Sequence, residues 1–128
     1  MIPESLRYAK THEWAKFDGD LVTIGVTKFA ADQLTDVTYL ELPHVGDHVF
    51  ANQECGSIET VKSVNSLYSP VEGEVVEVNE KLIEEPNELT KDPYGAGWMI
   101  KVRAEKPGAD QNLLTAAQYA KQIESEGN

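Results

Sequence analysis

The segment Glu59-Thr60-Val61-Lys62-Ser63 lies between Gly46 and a later segment, Ser69-Pro70-Val71-Glu72-Gly73. One glycine therefore stands sixteen residues before Lys62 and another stands eleven residues after it. Glycine adopts backbone bends that other residues resist, so both positions allow a strand to fold back. A lysine at a turn is, taken alone, usually only a solvated charge. The two flanking bends nevertheless predict two strand–turn–strand halves that meet at a hairpin, with Lys62 exposed at its tip.

Short strands bounded by turn residues make up most of the chain. Val22, Ile24 and Val26 recur with a period of two, which is typical of a strand with one buried face. Asp18-Gly19-Asp20 before them predicts a hairpin turn. Strands are predicted over 14–17, 21–26, 37–42, 53–61, 67–71, 74–78 and 98–102, with a further one starting at 49. The sequence thus predicts a mainly β fold, a flattened barrel-sandwich hybrid of two small antiparallel sheets.

Helical segments are short, and the clearest one is at the C-terminus. Thr27 is placed to cap a short helix that reaches Leu34, and Pro86 limits the 82–89 segment to one or two helical turns. Thr115 and Gln118 have the spacing of a capping box and precede an apolar stripe, which predicts a helix over about 115–124. Residues 125–128 should fray. No linker-like segment divides the chain, so we predict a single domain over 1–128 with its core at about 20–104.

Acidic side chains outnumber basic ones by 22 to 11, which gives the 128-residue chain a net charge of −11 with histidine neutral. A surface this acidic repels nucleic-acid phosphates and anionic lipid heads, so we expect neither nucleic acid nor a membrane as a partner. Proteins with basic docking faces fit better, although the charge would equally serve solubility alone.

Cysteine usage and the absence of targeting patterns bear on location. Cys55 is the only cysteine, so an internal disulfide is excluded and no oxidising compartment is needed. No apolar run approaches membrane-spanning length, and the N-terminus has no signal-peptide pattern. We expect a cytoplasmic bacterial protein, or a protein of the mitochondrial matrix if the sequence is a processed eukaryotic form.

An enzyme would need a catalytic set, and the candidates here are Cys55 with His44 or His48. No local signature of a cysteine nucleophile surrounds them, and a small buried cysteine is the commoner situation. His44 and His48 have a spacing that suits a zinc pair on a helix, but Pro43 and Gly46 predict a turn there. We therefore predict neither a self-sufficient active site nor a metal site.

The spacing of the two glycines around Lys62 resembles that of the lipoyl/biotinyl carrier domains. Biotin carriers typically have methionine on both sides of the lysine, whereas Val61 and Ser63 flank Lys62 and Glu59 lies three residues upstream, which resembles the lipoyl carriers. From about Tyr8 to Tyr119 the sequence resembles the glycine cleavage H-protein family. The matching segments are Tyr8-Ala9-Lys10-Thr11-His12-Glu13-Trp14, Ile24-Gly25-Val26-Thr27, Glu41-Leu42-Pro43 with Gly46, Gly73-Glu74-Val75-Val76-Glu77-Val78-Asn79, and Asp92-Pro93-Tyr94-Gly95 with Gly97-Trp98-Met99-Ile100.

This resemblance implies lipoate in amide linkage to Lys62, on a carrier rather than an enzyme. It implies that the carrier takes the aminomethyl group of glycine from a pyridoxal-phosphate-dependent glycine decarboxylase (P protein) and delivers it to an aminomethyltransferase (T protein). Dihydrolipoyl dehydrogenase (L protein) then reoxidises the carrier, and a lipoyl-attachment enzyme modifies it. The alternative is a lipoyl-relay protein or a stand-alone lipoyl domain serving 2-oxo-acid dehydrogenases. We expect a monomer.

The resemblance also implies a surface cleft that shelters the loaded arm. Thr11 and Glu13 match its polar lining by position, His12 is expected to be structural or to line it, and Glu59 is an arm-recognition candidate. Ser66 stands where the family commonly has an acid, so Glu13 is expected to supply most of the charge, unless it is only a solvated surface acid. The acids close to Lys62 in sequence are expected to rim the arm: Glu54, Glu59, Glu72 and Glu74.

Overall fold

Two antiparallel sheets form the body of the protein. The computed structural model describes residues 2–106 and 108–126. Within them the strands are β1 Arg7–Tyr8, β2 Glu13–Asp18, β3 Leu21–Val26, β4 Val37–Glu41, β5 His48–Val49, β6 Glu54–Thr60, β7 Val64–Tyr68, β8 Gly73–Val78 and β9 Ile100–Ala104. The larger sheet has the order β1-β2-β3-β9-β8-β5, and the smaller has the order β4-β6-β7. Every pairing in these residues is antiparallel, as predicted.

Short helices connect the strands. They are α1 Lys28–Ala31, α2 Glu80–Glu84, α3 Glu88–Lys91, the 3₁₀ helix Ala109–Asn112 and the longer α4 Ala116–Glu126. Pro86 separates α2 from α3, so this region contains two short helices, where the sequence predicts one or two helical turns over 82–89. Among the residues described, no helix combines the length and apolar character needed to cross a membrane.

The two sheets share one apolar core. Val22 and Ile24 of β3 are fully buried, and Leu40 of β4 and Ile58 of β6 join them from the smaller sheet. Burying an aliphatic side chain of this size contributes roughly 1.5–3 kcal/mol each, so this shared layer is the main force that holds the sheets together. The predicted mainly β architecture of two small antiparallel sheets is confirmed.

Several local predictions hold, because turn and capping residues act over short distances. Gly19 has a φ of 64° at the turn between β2 and β3. The Thr27 side chain accepts a hydrogen bond of 3.3 Å from the Ala30 backbone N–H and so caps α1. The helix ends at Ala31, however, and the prediction that it reaches Leu34 is wrong.

The chain after Lys62 departs from the prediction. Strand β7 covers Val64–Tyr68 and begins directly after the hairpin turn, so the predicted strand over 67–71 is displaced. Gly73 is not a bend but the first residue of β8. A Cβ at Gly73 would clash with the carbonyl oxygen of Arg103, so glycine is needed there for close strand packing. Strand β1 and the 3₁₀ helix were not predicted.

Helix α4 packs against the larger sheet through Tyr119. The predicted capping box is present, since Thr115 Oγ1 accepts from the Gln118 N–H at 3.2 Å and Gln118 Oε1 accepts from the Thr115 N–H at 2.9 Å. Tyr119 is fully buried and stacks on Tyr8 with 4.7 Å between ring centroids. The helix continues through Glu126, so the predicted fraying is wrong for Ser125 and Glu126, while 127–128 lie outside the described residues.

Candidate functional site

Lys62 lies at the tip of the β6–β7 hairpin, where the sequence predicts it. The Thr60 N–H donates to the Ser63 carbonyl at 2.9 Å and closes the turn. Thr60 Oγ1 accepts from the backbone N–H groups of Lys62 and Ser63, at 3.2 and 3.0 Å. The Lys62 side chain is exposed, and its neighbour Val61 is 61 % exposed. The backbone of the turn is thus fixed by Thr60 while the amine stays accessible to another protein.

A cleft of about 530 Å³ lies next to this hairpin. One wall is β7 together with Ser63, and the other is formed by residues 11–13 and by α1. The apolar lining, which could hold a hydrocarbon chain, consists of Val26, Phe29, Ala30, Leu34, Ile58 and Val64. Its polar lining includes Thr11, His12, Glu13, Gln33, Ser66 and Glu126. The cleft therefore combines an apolar surface with a small set of hydrogen-bonding groups.

Glu13 is a buried acid in the wall of the cleft. It is 2 % exposed, its Oε1 accepts a short hydrogen bond from the Thr11 hydroxyl, and its Oε2 accepts from the Tyr68 backbone N–H at 3.1 Å. Burial raises the pKa of Glu13 to about 7, and the hydrogen bonds from Thr11 and Tyr68 oppose that rise only in part. The interpretation of Glu13 as a solvated surface acid is therefore wrong.

The structure brings three of the four predicted arm-pocket residues together. Thr11, Glu13 and Ser66 line the same cleft, and Ser66 is exposed on β7. Glu59 does not line this cleft; it lies on β6 between Tyr39 of β4 and Val64 of β7.

The predicted acidic rim around Lys62 is mostly wrong. Glu54 pairs with Tyr68 at the opposite end of the hairpin. Because successive residues of a strand are about 3.3 Å apart, Glu54, eight positions before Lys62, lies far from it. Glu72 instead contacts His48 and Lys106, and Glu74 lies opposite Arg103 in the larger sheet. Nearness in sequence fails as a guide wherever the chain is extended.

The cleft contains residues that sequence reasoning did not find. Phe29 and Gln33 come from the α1 region, and Glu126 comes from the end of α4. His12 Nδ1 lies 2.7 Å from the Tyr119 hydroxyl and its Nε2 lies 3.0 Å from Glu126 Oε1, so His12 connects α4 to the cleft wall. The expectation that His12 is structural or lines the pocket is confirmed on both counts. No local sequence signal joins Glu126 to residues that are so far away along the chain.

The thiol alternative finds little support. A second hollow, of about 580 Å³, is lined by Cys55, His44 and His48 together. Cys55 is half-buried rather than fully buried, and burial, together with the nearby acids Glu13 and Glu54, raises the pKa of its thiol to about 12. The thiolate is the nucleophilic form, so a thiol that stays protonated at neutral pH is a poor nucleophile.

Two packed antiparallel sheets that present one lysine on a fixed hairpin, beside a cleft, define a small carrier protein. The family model described as "Glycine cleavage H-protein" matches residues 6–126. A glycine cleavage system H protein of Nostoc punctiforme is 47 % identical over 124 residues, covering 97 % of this chain and 96 % of that protein. One from Rubrobacter xylanophilus is 48 % identical over 126 residues, with coverages of 98 % and 97 %.

A solved structure agrees with these relatives. The crystal structure of a glycine cleavage system H protein from Mycobacterium marinum matches with a TM-score of 0.89 and 37 % identity, covering 96 % of this chain and 99 % of that one. The chain belongs to the glycine cleavage H-protein family, and it is a carrier component of that system.

Proposed function

We propose that the chain carries lipoate in amide linkage to Lys62 and shuttles the aminomethyl group of glycine. It takes this cargo from glycine decarboxylase, gives it to the aminomethyltransferase and returns to the oxidised state through dihydrolipoyl dehydrogenase. The observation that carries the proposal is the exposed Lys62 amine on a turn fixed by Thr60, beside a cleft that opens next to it. A side chain placed in this way is reachable by a lipoyl-attachment enzyme and by several partners in turn.

The residues of the cleft fit a lipoyl group. Its hydrocarbon chain would lie between apolar residues of both walls, among them Phe29, Leu34 and Val64, and its far end would reach Thr11 and Glu13. When bound, lipoate supplies a disulfide that is both an electrophile and a two-electron redox couple. The chain itself supplies position and shelter.

Glu13 is suited to a cationic cargo. An aminomethyl group carries an ammonium, and a nearby positive charge favours the ionised form of a carboxyl group, which opposes the effect of burial on the Glu13 pKa. The hydroxyls of Thr11 and Ser66 offer further hydrogen bonds to the same end of the cleft. A charge-assisted hydrogen bond is worth roughly 1.5–3 kcal/mol and a neutral one about 1 kcal/mol, so Glu13 contributes more than Ser66.

The attachment site is tested by incubating the protein with a lipoate ligase, lipoate and ATP, followed by intact-mass measurement. The wild type should gain one lipoyl mass and Lys62→Ala should gain none. Lys91→Ala is the matched control, because Lys91 is also an exposed lysine and lies outside the hairpin. Equal modification of Lys62→Ala and the wild type would show that the site is elsewhere.

The shuttle is tested by asking which enzymes reduce and discharge the lipoylated protein. Glycine decarboxylase with glycine should load it, and the aminomethyltransferase with tetrahydrofolate should unload it. A lipoylated chain that is instead reduced by a 2-oxo-acid dehydrogenase, or that only passes its lipoyl group to other proteins, would replace this proposal with the alternative carrier role.

A further inference from the structure

Strand β7 is an edge strand whose second edge forms part of the cleft wall. The hydrogen bond from Thr60 N–H to the Ser63 carbonyl makes these two residues a hydrogen-bonded pair. In an antiparallel ladder such pairs alternate with pairs whose backbone groups point away from each other. Val64 pairs with Glu59 and Ser66 with Ser57 at the alternate positions, so their N–H and C=O groups face away from β6.

Tyr68 supports this assignment of direction. It follows Val64 and Ser66 with the same period of two, and its N–H donates to Glu13 Oε2 across the cleft instead of to β6. For the N–H groups of Val64 and Ser66, residues 2–106 and 108–126 provide no hydrogen-bond acceptor. Unpaired groups on an exposed strand edge are a template for another extended chain. Here the template begins beside Lys62 and ends where Glu13 meets Tyr68.

The length of a lipoyl-lysine arm matches this edge. An extended lysine side chain places its nitrogen about 6 Å from the Cα atom. Val64 is two residues from Lys62, or about 7 Å along a strand, and Ser66 is at about 13 Å. An arm that folds back along β7 therefore brings its amide level with Val64. Its sulfur atoms, roughly 15 Å from the Cα atom, then lie just past Ser66 and point toward Tyr68, whose N–H donates to Glu13.

We propose that the free edge of β7 binds the amide of the lipoyl-lysine arm through the backbone of Val64, so that the arm adds to the smaller sheet as a short extra strand. This inference rests on the proposed lipoylation of Lys62. The arm's amide has one N–H and one C=O, like a peptide group, and therefore offers the complementary donor and acceptor. Edge pairing fixes the register of the arm, and Ser66 N–H then faces its distal part.

Backbone amide exchange tests the proposal directly. Isotope-labelled protein is compared in the unmodified, lipoylated and aminomethyl-loaded states by NMR, with exchange rates read for each amide. Loading should slow exchange at Val64 and Ser66 by about tenfold or more. Asn65 and Leu67 are internal controls, because their backbone groups face β6 and should not respond.

A pair of variants separates a hydrogen bond from simple covering. Val64→Pro removes the N–H that faces the cleft, and proline is tolerated in edge strands where that N–H is not used by the ladder. Val64→Ala keeps the N–H and, like Val64→Pro, removes the valine side chain from the cleft lining, so a difference between the two variants reports the N–H alone. Protection of Ser66 on loading should be lost in Val64→Pro and kept in Val64→Ala, while unchanged β6 amide signals show that the hairpin is intact.

The outcomes distinguish this inference from the proposed function. If Gln33 and Thr11 signals shift on loading while Val64 and Ser66 exchange as before, the arm occupies the cleft without edge pairing and the inference is overturned. If a partner enzyme protects the edge whether or not the arm is present, the edge accepts a strand of the partner instead. If Lys62 gains no lipoyl mass, the proposed function itself fails.

Discussion

Replacing Glu13 by glutamine should remove a pH dependence that this carboxyl group imposes on folding. Glu13 is 2 % exposed, and burial raises its pKa from 4.5 to about 7. Below pH 4.5 the group is protonated in both the folded and the unfolded chain. Between pH 4.5 and 7 the unfolded chain releases its proton first, so unfolding is favoured as pH rises. The stability associated with the protonated acid is therefore lost across this window.

The size of the effect follows from the shift. One pKa unit corresponds to about 1.4 kcal/mol, so the free energy of unfolding should fall by about 3 kcal/mol through Glu13 between pH 4.5 and 8. Glutamine has nearly the same shape but cannot ionise. Its amide oxygen can still accept from the Tyr68 N–H. Its amide nitrogen then faces the Thr11 hydroxyl, which would accept a hydrogen bond instead of donating one. Its stability at pH 4.5 should thus lie within about 1 kcal/mol of wild type.

The assay is urea unfolding followed by tryptophan fluorescence at several pH values and constant ionic strength. The difference in the free energy of unfolding, Glu13→Gln minus wild type, should rise by about 3 kcal/mol from pH 4.5 to 8. Taking the difference cancels the three histidines, which both proteins share. Glu74→Gln removes an exposed carboxyl group and controls for the loss of one charge. Parallel pH profiles for Glu13→Gln and wild type would refute the reasoning.

Four further outcomes are expected. In the absence of the aminomethyltransferase, the aminomethyl-loaded protein should break down severalfold faster than wild type in Glu13→Ala and more slowly than wild type in Ser66→Asp. The rate is measured from the release of the breakdown products. The apparent KM of the decarboxylase for the lipoylated carrier should rise with salt, because a net charge of −11 steers encounter with a basic partner. Gly73→Ala should lower the free energy of unfolding by about 2–3 kcal/mol in urea, since its Cβ meets the Arg103 carbonyl. Tyr119→Phe should cost about 1–3 kcal/mol in the same assay, because it removes the hydroxyl that bonds to two buried or half-buried partners.

The fold could be predicted because its signals are local. The period of two in Val22, Ile24 and Val26 marks one buried face, and Gly19 marks the turn before it. Strand ends were harder to place, since the tight turn at Thr60 lets β7 start at Val64. A glycine can mark either a bend or a close contact between strands, so the sequence wrongly predicts a bend at Gly73.

Only the part of the site whose residues lie in one short segment could be predicted from the sequence. Lys62 and the turn around it lie within a few residues, whereas the cleft joins β7, α1, residues 11–13 and the end of α4. The sequence also does not indicate that Glu13 is buried. Glu13, Trp14 and Ala15 are all buried, so the alternation expected of a strand is interrupted there. Its raised pKa is a property of the packed structure and has no counterpart in the local sequence.

The cost of burying Glu13 and the proposed cargo are linked through the same carboxyl group. A buried carboxylate without a cationic partner is unfavourable, which is why Glu13 holds its proton up to about pH 7. An ammonium at the end of the cleft would favour the ionised form, so the proton and the cargo compete for Glu13. Retention of the cargo should therefore strengthen as the pH rises through 7, while the unloaded protein loses stability over the same interval. With serine at position 66, Glu13 is the one buried acid in the described lining of the cleft, whereas an aspartate there would share this competition.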